Sequence, residues 1–165
     1  MKKLEDIIFE KMETLFGFII AKLIVPDMKF DKVTDIDQHR IDDFKENYGI
    51  QGIILDVDET LRNKTIEIPI CNQQWIELMK KNFKVIIVSN GRCQKMQEYF
   101  KSIGVEYISL AMKPARMGFK KACKNLGLRP ENIMVIGNSL YSDIHGGHKN
   151  KMLSALVDKV EEDER

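Results

Sequence analysis

The sequence predicts an α/β domain built around a doubly wound parallel sheet. From Gly52 onward, strand-like and helix-like segments alternate along the chain, which is typical of a sheet whose strands are joined by helices. The apolar runs at 53–55 and 85–88 are continuous rather than alternating, which indicates strands that are buried on both faces. Polar residues follow directly after the predicted strands, at the edge where a sheet of this kind binds ligands.

The elements follow in order from the hydrophobic patterns. The predicted strands are 53–55, 85–88, 105–108, 133–136 and 153–157. The predicted helices between them are 72–81, 92–103, 115–126 and 141–148. The second strand is β-branched throughout, and the helix at 92–103 places Met96, Phe100 and Ile103 on one face. Gly127 is suited to end the helix at 115–126.

Length and composition predict one globular domain. At 165 residues the chain can bury a full core, which we expect to span 31–165 after an amphipathic segment at 1–30. The formal net charge of +1 gives no bulk field for binding nucleic acid, so we expect no nucleic-acid partner. The three cysteines lack the spacing of a zinc site or a disulfide framework, and we expect a cytoplasmic protein.

The N-terminal segment repeats apolar residues at helical spacing over 5–25, and Pro26 disfavours continuation of the helix. Its lysines could meet anionic headgroups while the apolar face enters the membrane interface. This interpretation places the protein at the inner membrane surface as a peripheral protein. The alternative, which the sequence leaves open, is a helix that packs on the sheet or on a partner subunit.

Two carboxylates stand directly after the first predicted strand. Asp56 and Asp58 are two residues apart, and Thr60 follows in the same loop. One acid can attack an electrophile while the other moves a proton. The alternative is a simple strand-end turn, where Asp and Thr are also common.

The later strand ends add polar groups at the same predicted edge. Ser89 and Asn90 follow the second strand, Lys113 the third, and Asn138 and Asp143 the fourth. Each has an ordinary interpretation as a turn, surface or helix-start residue. Their repeated occurrence in order at strand ends favours a functional site.

The order of these motifs also carries a family resemblance. DVDETL, SN, KP and GNSLYSD, in this order over residues 49–157, resemble the haloacid dehalogenase-like (HAD) phosphatases. The phrases IVPDMKFDKVTDID, KPARMGF and DIHGGHKN are similar to the YqeG-type branch, subclass IIIA. That branch is in turn similar to mitochondrial phosphatidylglycerophosphatases.

The resemblance implies a role for each residue. Asp56 would be the nucleophile, Asp58 the general acid and base, and Lys113 the catalytic cation. Ser89 and Asn90 would bind the phosphoryl group, with Thr60 supporting the loop. The implied cofactor is Mg²⁺, which prefers oxygen ligands. Its implied ligands are the Asp56 side chain, the Asp58 backbone carbonyl, Asn138 and Asp143.

Two positions depart from the family pattern. Asn138 stands where the family usually has Asp, which lowers the negative charge around the metal, and we expect weaker Mg²⁺ binding rather than its loss. Glu59 stands where the branch usually has Asn. We expect the Glu59 carboxylate to face away from the phosphate, because another anion in the pocket would oppose substrate binding.

The short intervals between motifs leave no room for a cap domain, so we expect an open site that admits a phosphate on a bulky carrier. The resemblance implies a phosphatidylglycerophosphate phosphatase of phospholipid synthesis, with a lipid headgroup as the partner. A phosphatase for proteins or soluble esters and a catalytically weak binding protein are the alternatives. A dehalogenase is disfavoured, because Asp58 suits protonation of an alkoxide. The oligomeric state stays open.

Overall fold

The computed structural model describes Leu15, Ile19, residues 23–63 and residues 67–160. Its centre is a six-stranded sheet with the strand order β1-β6-β5-β2-β3-β4. Each neighbouring pair of strands is parallel. The predicted α/β fold with a parallel sheet is therefore confirmed.

The strands are β1 Met28–Phe30, β2 Gly52–Leu55, β3 Lys84–Val88, β4 Glu106–Ile108, β5 Ile133–Gly137 and β6 Leu153–Val157. The α-helices are α1 Gln38–Glu46, α2 Ile70–Asn82, α3 Gln94–Ser102, α4 Arg116–Leu126 and α5 Gly146–Lys149. Short 3₁₀ turns lie at Val33–Asp35 and Pro130–Asn132, and a π-helix spans Leu140–His145. Gly127 ends α4 in the left-handed conformation, with φ of 64°.

The two faces of the sheet form separate apolar layers. Successive residues of a strand point to opposite faces, so Ile53 and Leu55 join one layer while Ile54 joins the other. The first layer also contains Phe44 of α1, and the second is filled by Phe119 of α4. Burial on both faces explains why the strands are continuous apolar runs.

Two elements were missing from the sequence prediction. β1 at Met28–Phe30 is a short edge strand that pairs with β6, so the sheet begins ahead of residue 31. α1 at Gln38–Glu46 is mostly polar, and it buries only Ile41 and Phe44. The predicted amphipathic helix over 5–25 lies almost wholly outside the described residues.

Asp27 fixes β1 to the rest of the sheet. Its Oδ2 accepts hydrogen bonds from the Ser154 backbone N–H at 2.9 Å and from the Ser154 hydroxyl at 2.9 Å. His148 Nε2 lies 2.9 Å from the same oxygen. Burial alone would raise the pKa of Asp27, but these hydrogen bonds outweigh burial, and its pKa lies below the ordinary value.

The connections at the carboxyl edge of the sheet are short in the described part of the chain. Between Leu61 and Ser89 the described residues form only α2, β3 and their connections, and between Ser89 and Lys113 only α3 and β4. Neither described interval contains a cap domain. Among the described helices, none has both the length and the apolar character needed to cross a bilayer.

Candidate active site

A polar cavity of about 300 Å³ lies at the carboxyl edge of the sheet. The loops that follow β2, β3, β4 and β5 supply its walls. Its lining includes Asp56, Asp58, Ser89, Asn90, Lys113, Asn138 and Asp143. The structure therefore brings these sequence-predicted residues together at one site, because parallel strands end at the same edge.

Lys113 links two acids in the floor of this cavity. Its Nζ lies 2.7 Å from Asp56 Oδ1 and 2.6 Å from Asp143 Oδ1. Burial by itself lowers the pKa of Lys113, but the charges of Asp143 and Asp56 outweigh burial and hold this pKa above its ordinary value. The ammonium therefore stays charged and fixes the position of the Asp56 carboxylate.

Asp143 is the most deeply buried acid of the site, at 1% exposure. Burial raises its pKa to about 6, although Lys113 acts in the opposite direction. Its Oδ2 accepts a hydrogen bond from the Ser139 N–H at 3.1 Å, so both oxygens have partners. Gly137 makes room for this carboxylate, since a Cβ at residue 137 would lie 2.3 Å from Asp143 Oδ2.

Thr60 connects Asp56 with Asn138. Its hydroxyl lies 2.9 Å from Asp56 Oδ2 and 3.0 Å from Asn138 Oδ1, and can donate to either oxygen. The same hydroxyl accepts a hydrogen bond from the Asn138 N–H at 3.2 Å. Lys113 and Thr60 thus each hold one of the two oxygens of Asp56.

Arg62 holds Asp58, a contact that no sequence pattern predicts. Arg62 Nη2 and Nε lie 2.9 Å and 3.1 Å from Asp58 Oδ1. Arg62 is buried, at 8% exposure. The other oxygen, Oδ2, lies beside Gly91 in the cavity wall, where a Cβ at residue 91 would approach it to 3.2 Å. Arg62 therefore fixes the direction in which Asp58 faces the cavity.

The loop after β3 joins the loop that carries Lys113. Asn90 Nδ2 donates to the Lys113 carbonyl at 3.0 Å, and Asn90 Oδ1 accepts from the Lys113 N–H at 2.6 Å. Ser89 Oγ accepts the Gly91 N–H at 3.1 Å. Asn90 thus holds the backbone of Lys113, while Ser89 remains at the cavity wall.

Glu59 lies at the rim of the cavity in an uncommon backbone conformation. Its φ of 64° is in the left-handed region, where Gly and Asn are favoured. Its Oε2 lies 3.1 Å from Lys159 Nζ. The Glu59 carboxylate is therefore paired with a cation at the rim.

The donor set suits a hard cation. Asp56 Oδ2 and Asn138 Oδ1 both lie within hydrogen-bond distance of Thr60 Oγ1, so these two oxygens converge. Mg²⁺ prefers carboxylate, carbonyl and phosphate oxygens. Within residues 23–63 and 67–160, no three His, Cys, Asp or Glu side chains are grouped to hold a metal ion. The expected set differs from such a group, because it uses the amide of Asn138 and the Asp58 backbone carbonyl.

Comparison with known proteins places this site in a family context. The profile described as HAD-hydrolase-like matches residues 110–164. The probable phosphatase YqeG of Bacillus subtilis is 31% identical over 145 residues, which cover 84% of this chain and 80% of the relative. The glyceraldehyde 3-phosphate phosphatase of Pyrococcus furiosus is 27% identical over 89 residues, which cover 48% of this chain and 37% of that protein.

A solved structure also shares the fold. The 2-haloacid dehalogenase of Pseudomonas syringae pv. Tomato superposes with a TM-score of 0.55 at 10% identity, covering 70% of this chain and 91% of that one. At this identity the likeness concerns the fold alone.

Proposed function

This chain belongs to the HAD-like phosphatase superfamily, and we propose that it hydrolyses phosphomonoesters through an aspartyl-phosphate on Asp56. The observation that carries the proposal is the fixed Asp56 carboxylate, held through one oxygen by Lys113 and through the other by Thr60. A carboxylate held in this way needs little reorganisation before it attacks phosphorus.

The two acids would divide the reaction between them. A carboxylate oxygen of Asp56 forms a bond to phosphorus as the ester P–O bond breaks, and Asp58 gives its proton to the leaving alkoxide. A water molecule then attacks the phosphorus of the aspartyl-phosphate and passes a proton to Asp58, which restores both acids and releases phosphate. Arg62 engages Asp58 Oδ1, which leaves Oδ2 on the cavity side for the proton.

Lys113 would neutralise charge during this step. An anionic carboxylate attacking an anionic phosphate is repelled, and a buried cation beside both reduces that repulsion. Asp143 would position Lys113 through the contact between its Oδ1 and the Lys113 ammonium, and its carboxylate in the cavity lining is also a proposed metal ligand.

Mg²⁺ is the proposed cofactor. The Asp56 side chain, the Asp58 carbonyl, the Asn138 amide oxygen and the Asp143 carboxylate would hold it. When bound, the ion supplies positive charge that stabilises the phosphoryl oxygens.

Phosphatidylglycerophosphate is the proposed substrate, with the protein at the inner membrane surface. The described loops leave the cavity without a cap, so a phosphate on a large headgroup can reach Asp56. The second candidate is a soluble phosphate ester, favoured by the similarity over 89 residues to the glyceraldehyde 3-phosphate phosphatase of P. furiosus.

The test is phosphate release from phosphatidylglycerophosphate and from an aryl phosphate, with Mg²⁺ or with EDTA. We expect Mg²⁺-dependent release from both, a strong preference for the lipid, and loss of activity in Asp56→Asn. Asp42→Asn makes the same chemical change at an exposed acid of α1 and serves as the matched control.

A second readout tests the covalent step. In Asp58→Asn, we expect brief incubation with the aryl phosphate to leave a phosphoryl group on Asp56, detectable by mass spectrometry after acid quenching. Preference for a soluble ester would favour the second candidate. A folded, Mg²⁺-supplied protein that releases phosphate from none of these substrates would favour a catalytically weak binding protein.

A further inference from the structure

We propose that the loop after β4 and the adjoining face of α4 form a docking surface for an anionic phospholipid bilayer, beside the mouth of the active site. The inference rests on the proposed function, because it describes how a lipid-borne phosphate would be presented to Asp56. The surface has an apolar rim, defined as Leu110, Met112 and Met117, and a basic stripe, defined as Arg116, Lys120, Lys121 and Lys124.

The apolar rim exposes three large apolar side chains to solvent. Leu110, Met112 and Met117 are 57%, 58% and 63% exposed. Ala111, between Leu110 and Met112, is buried, and so is Lys113. The side chains after β4 therefore alternate between exposed and buried positions. Clustered exposed apolar side chains mark interaction surfaces in many proteins.

The backbone holds the rim residues in this arrangement. Leu110 and Met112 have φ of 51° and 54°, in the left-handed region that Leu and Met rarely adopt. Strained backbone of this kind occurs mainly at functional sites. The α4 residue Gly118 lies against Ala111, where a Cβ would approach the Ala111 Cβ to 2.8 Å, so the neighbouring Met117 belongs to the same surface.

The rim adjoins the active site directly. The Ala111 N–H donates to the Ser89 carbonyl at 3.0 Å, which places the rim loop alongside the loop that lines the cavity. Met112 precedes Lys113, whose ammonium holds Asp56. A bilayer that contacts the rim therefore lies next to the opening through which the phosphate must enter.

The basic stripe determines which partner the surface fits. From Tyr107 to Pro130 the sequence contains six Lys or Arg residues and no Asp or Glu, although the whole chain has a net charge of only +1. Lys120, Lys121 and Lys124 follow Met117 at positions i+3, i+4 and i+7, which lie on one face of a helix. The opposite face of α4 is buried, and the stripe is exposed. None of the stripe residues forms an ion pair with an acid of the described residues.

An apolar rim next to a basic stripe matches the interface of an anionic bilayer, which has an apolar interior and negatively charged headgroups. The apolar rim would enter the headgroup region while the stripe meets anionic headgroups. Each basic residue near such a surface contributes about fivefold to the partition constant, and the contribution falls with distance and with added salt. Lys124 lies about 10 Å along the helix from Met117, so we expect Lys120 and Lys121 to contribute more.

The experiment uses the full chain and vesicles of phosphatidylcholine, with and without phosphatidylglycerol. We expect co-sedimentation only with the anionic vesicles, weakened by salt. Leu110→Asn with Met112→Asn should lower the partition constant at least about tenfold, because the rim loses its apolar groups. Asn tolerates the left-handed backbone at both positions, so the fold is preserved. Lys120→Gln with Lys121→Gln should lower the constant by about 25-fold.

Matched controls lie elsewhere on the described surface. Ile70→Asn changes an apolar residue that is 73% exposed, and Lys81→Gln with Lys101→Gln removes two exposed cations. These controls should bind vesicles like the wild type. Equal vesicle binding by the rim variant and the wild type, or no binding of the wild type to anionic vesicles, overturns the proposal.

Catalysis is measured separately, so that the two proposals can fail independently. The rim variant should lose activity on phosphatidylglycerophosphate in vesicles while its kcat on a soluble aryl phosphate stays unchanged. Vesicle binding that follows the expected pattern without any phosphate release would support the surface and refute the proposed function. Normal phosphate release, together with unaltered vesicle binding in the rim variant, would support the proposed function and refute the docking surface.

Discussion

Replacing Glu59 with Asn should stabilise the protein. Glu59 has a φ of 64°, and the left-handed conformation costs an ordinary residue roughly 1–2 kcal/mol, a cost that Asn partly avoids. The substitution also removes the ion pair between Glu59 and Lys159, whose side chains are 35% and 67% exposed, respectively. An exposed pair of this kind contributes about 0–1 kcal/mol. We therefore expect the free energy of unfolding to rise by about 0.5–1 kcal/mol. For a chain of this length each kcal/mol corresponds to about 2–4 °C in Tm, so Tm should rise by about 1–4 °C.

The matched control is Glu59→Gln. It removes the same charge and the same ion pair, but it keeps a side chain that is poorly suited to the left-handed backbone. Urea denaturation of the two variants, with equal m-values, therefore isolates the backbone contribution. If Glu59→Gln proves as stable as Glu59→Asn, the conformational explanation is refuted.

The same pair of variants has a functional readout. Both remove a negative charge from the rim of the cavity, so we expect each to lower KM for an aryl phosphate about twofold at low salt, with less effect at high salt. Because the charge change is the same, the two KM values should agree even though the stabilities differ.

Three further perturbations test other parts of the structure. Asn138→Asp should lower the Mg²⁺ concentration needed for half-maximal activity about tenfold, and an unchanged requirement would place residue 138 outside the metal shell. Asp27→Ala should reduce the free energy of unfolding at pH 7 by about 1–3 kcal/mol, because the Ser154 N–H and hydroxyl lose their acceptor. Since the folded pKa of Asp27 lies below 3.8, this contribution is present above that pH and disappears as the pH falls through the folded pKa, so acid denaturation curves of the two proteins should converge. Arg62→Gln should lower kcat about 10- to 100-fold with little change in KM, because Asp58 loses its fixed direction, and Arg62→Lys should recover part of the rate.

Most of the sheet was predictable because its strands are strongly apolar and its helices carry clear periodicity. β1 was not predictable from local pattern, because Met28–Phe30 contains only three residues and its place depends on pairing with β6. α1 was missed for a different reason. It buries only Ile41 and Phe44 in nine residues, and its start depends on Asp37, which accepts a hydrogen bond from the Arg40 N–H.

The proximity of the candidate site residues was predictable from one geometric rule, that the carboxyl ends of parallel strands lie at a common edge of the sheet. The rule places Asp56, Lys113 and Asp143 near one another without identifying which groups touch. This rule does not predict the role of Arg62. In the sequence Arg62 resembles any surface cation, and only the folded turn places it against Asp58. The left-handed backbone of Glu59 was equally hidden, since its residue type gives no hint of that conformation.

The pairing of β1 with β6 has a consequence for the order of folding. The hydrogen bonds between Asp27 and Ser154 join positions that are 127 residues apart, so they close a long loop at the edge of the sheet. Contacts of such separation form late, because chain entropy must be lost before they stabilise the fold. We expect β1 to be the last strand to dock during synthesis and the first to detach under stress. Its departure would expose the unpaired backbone of β6, an apolar edge at which a second polypeptide chain could add a strand.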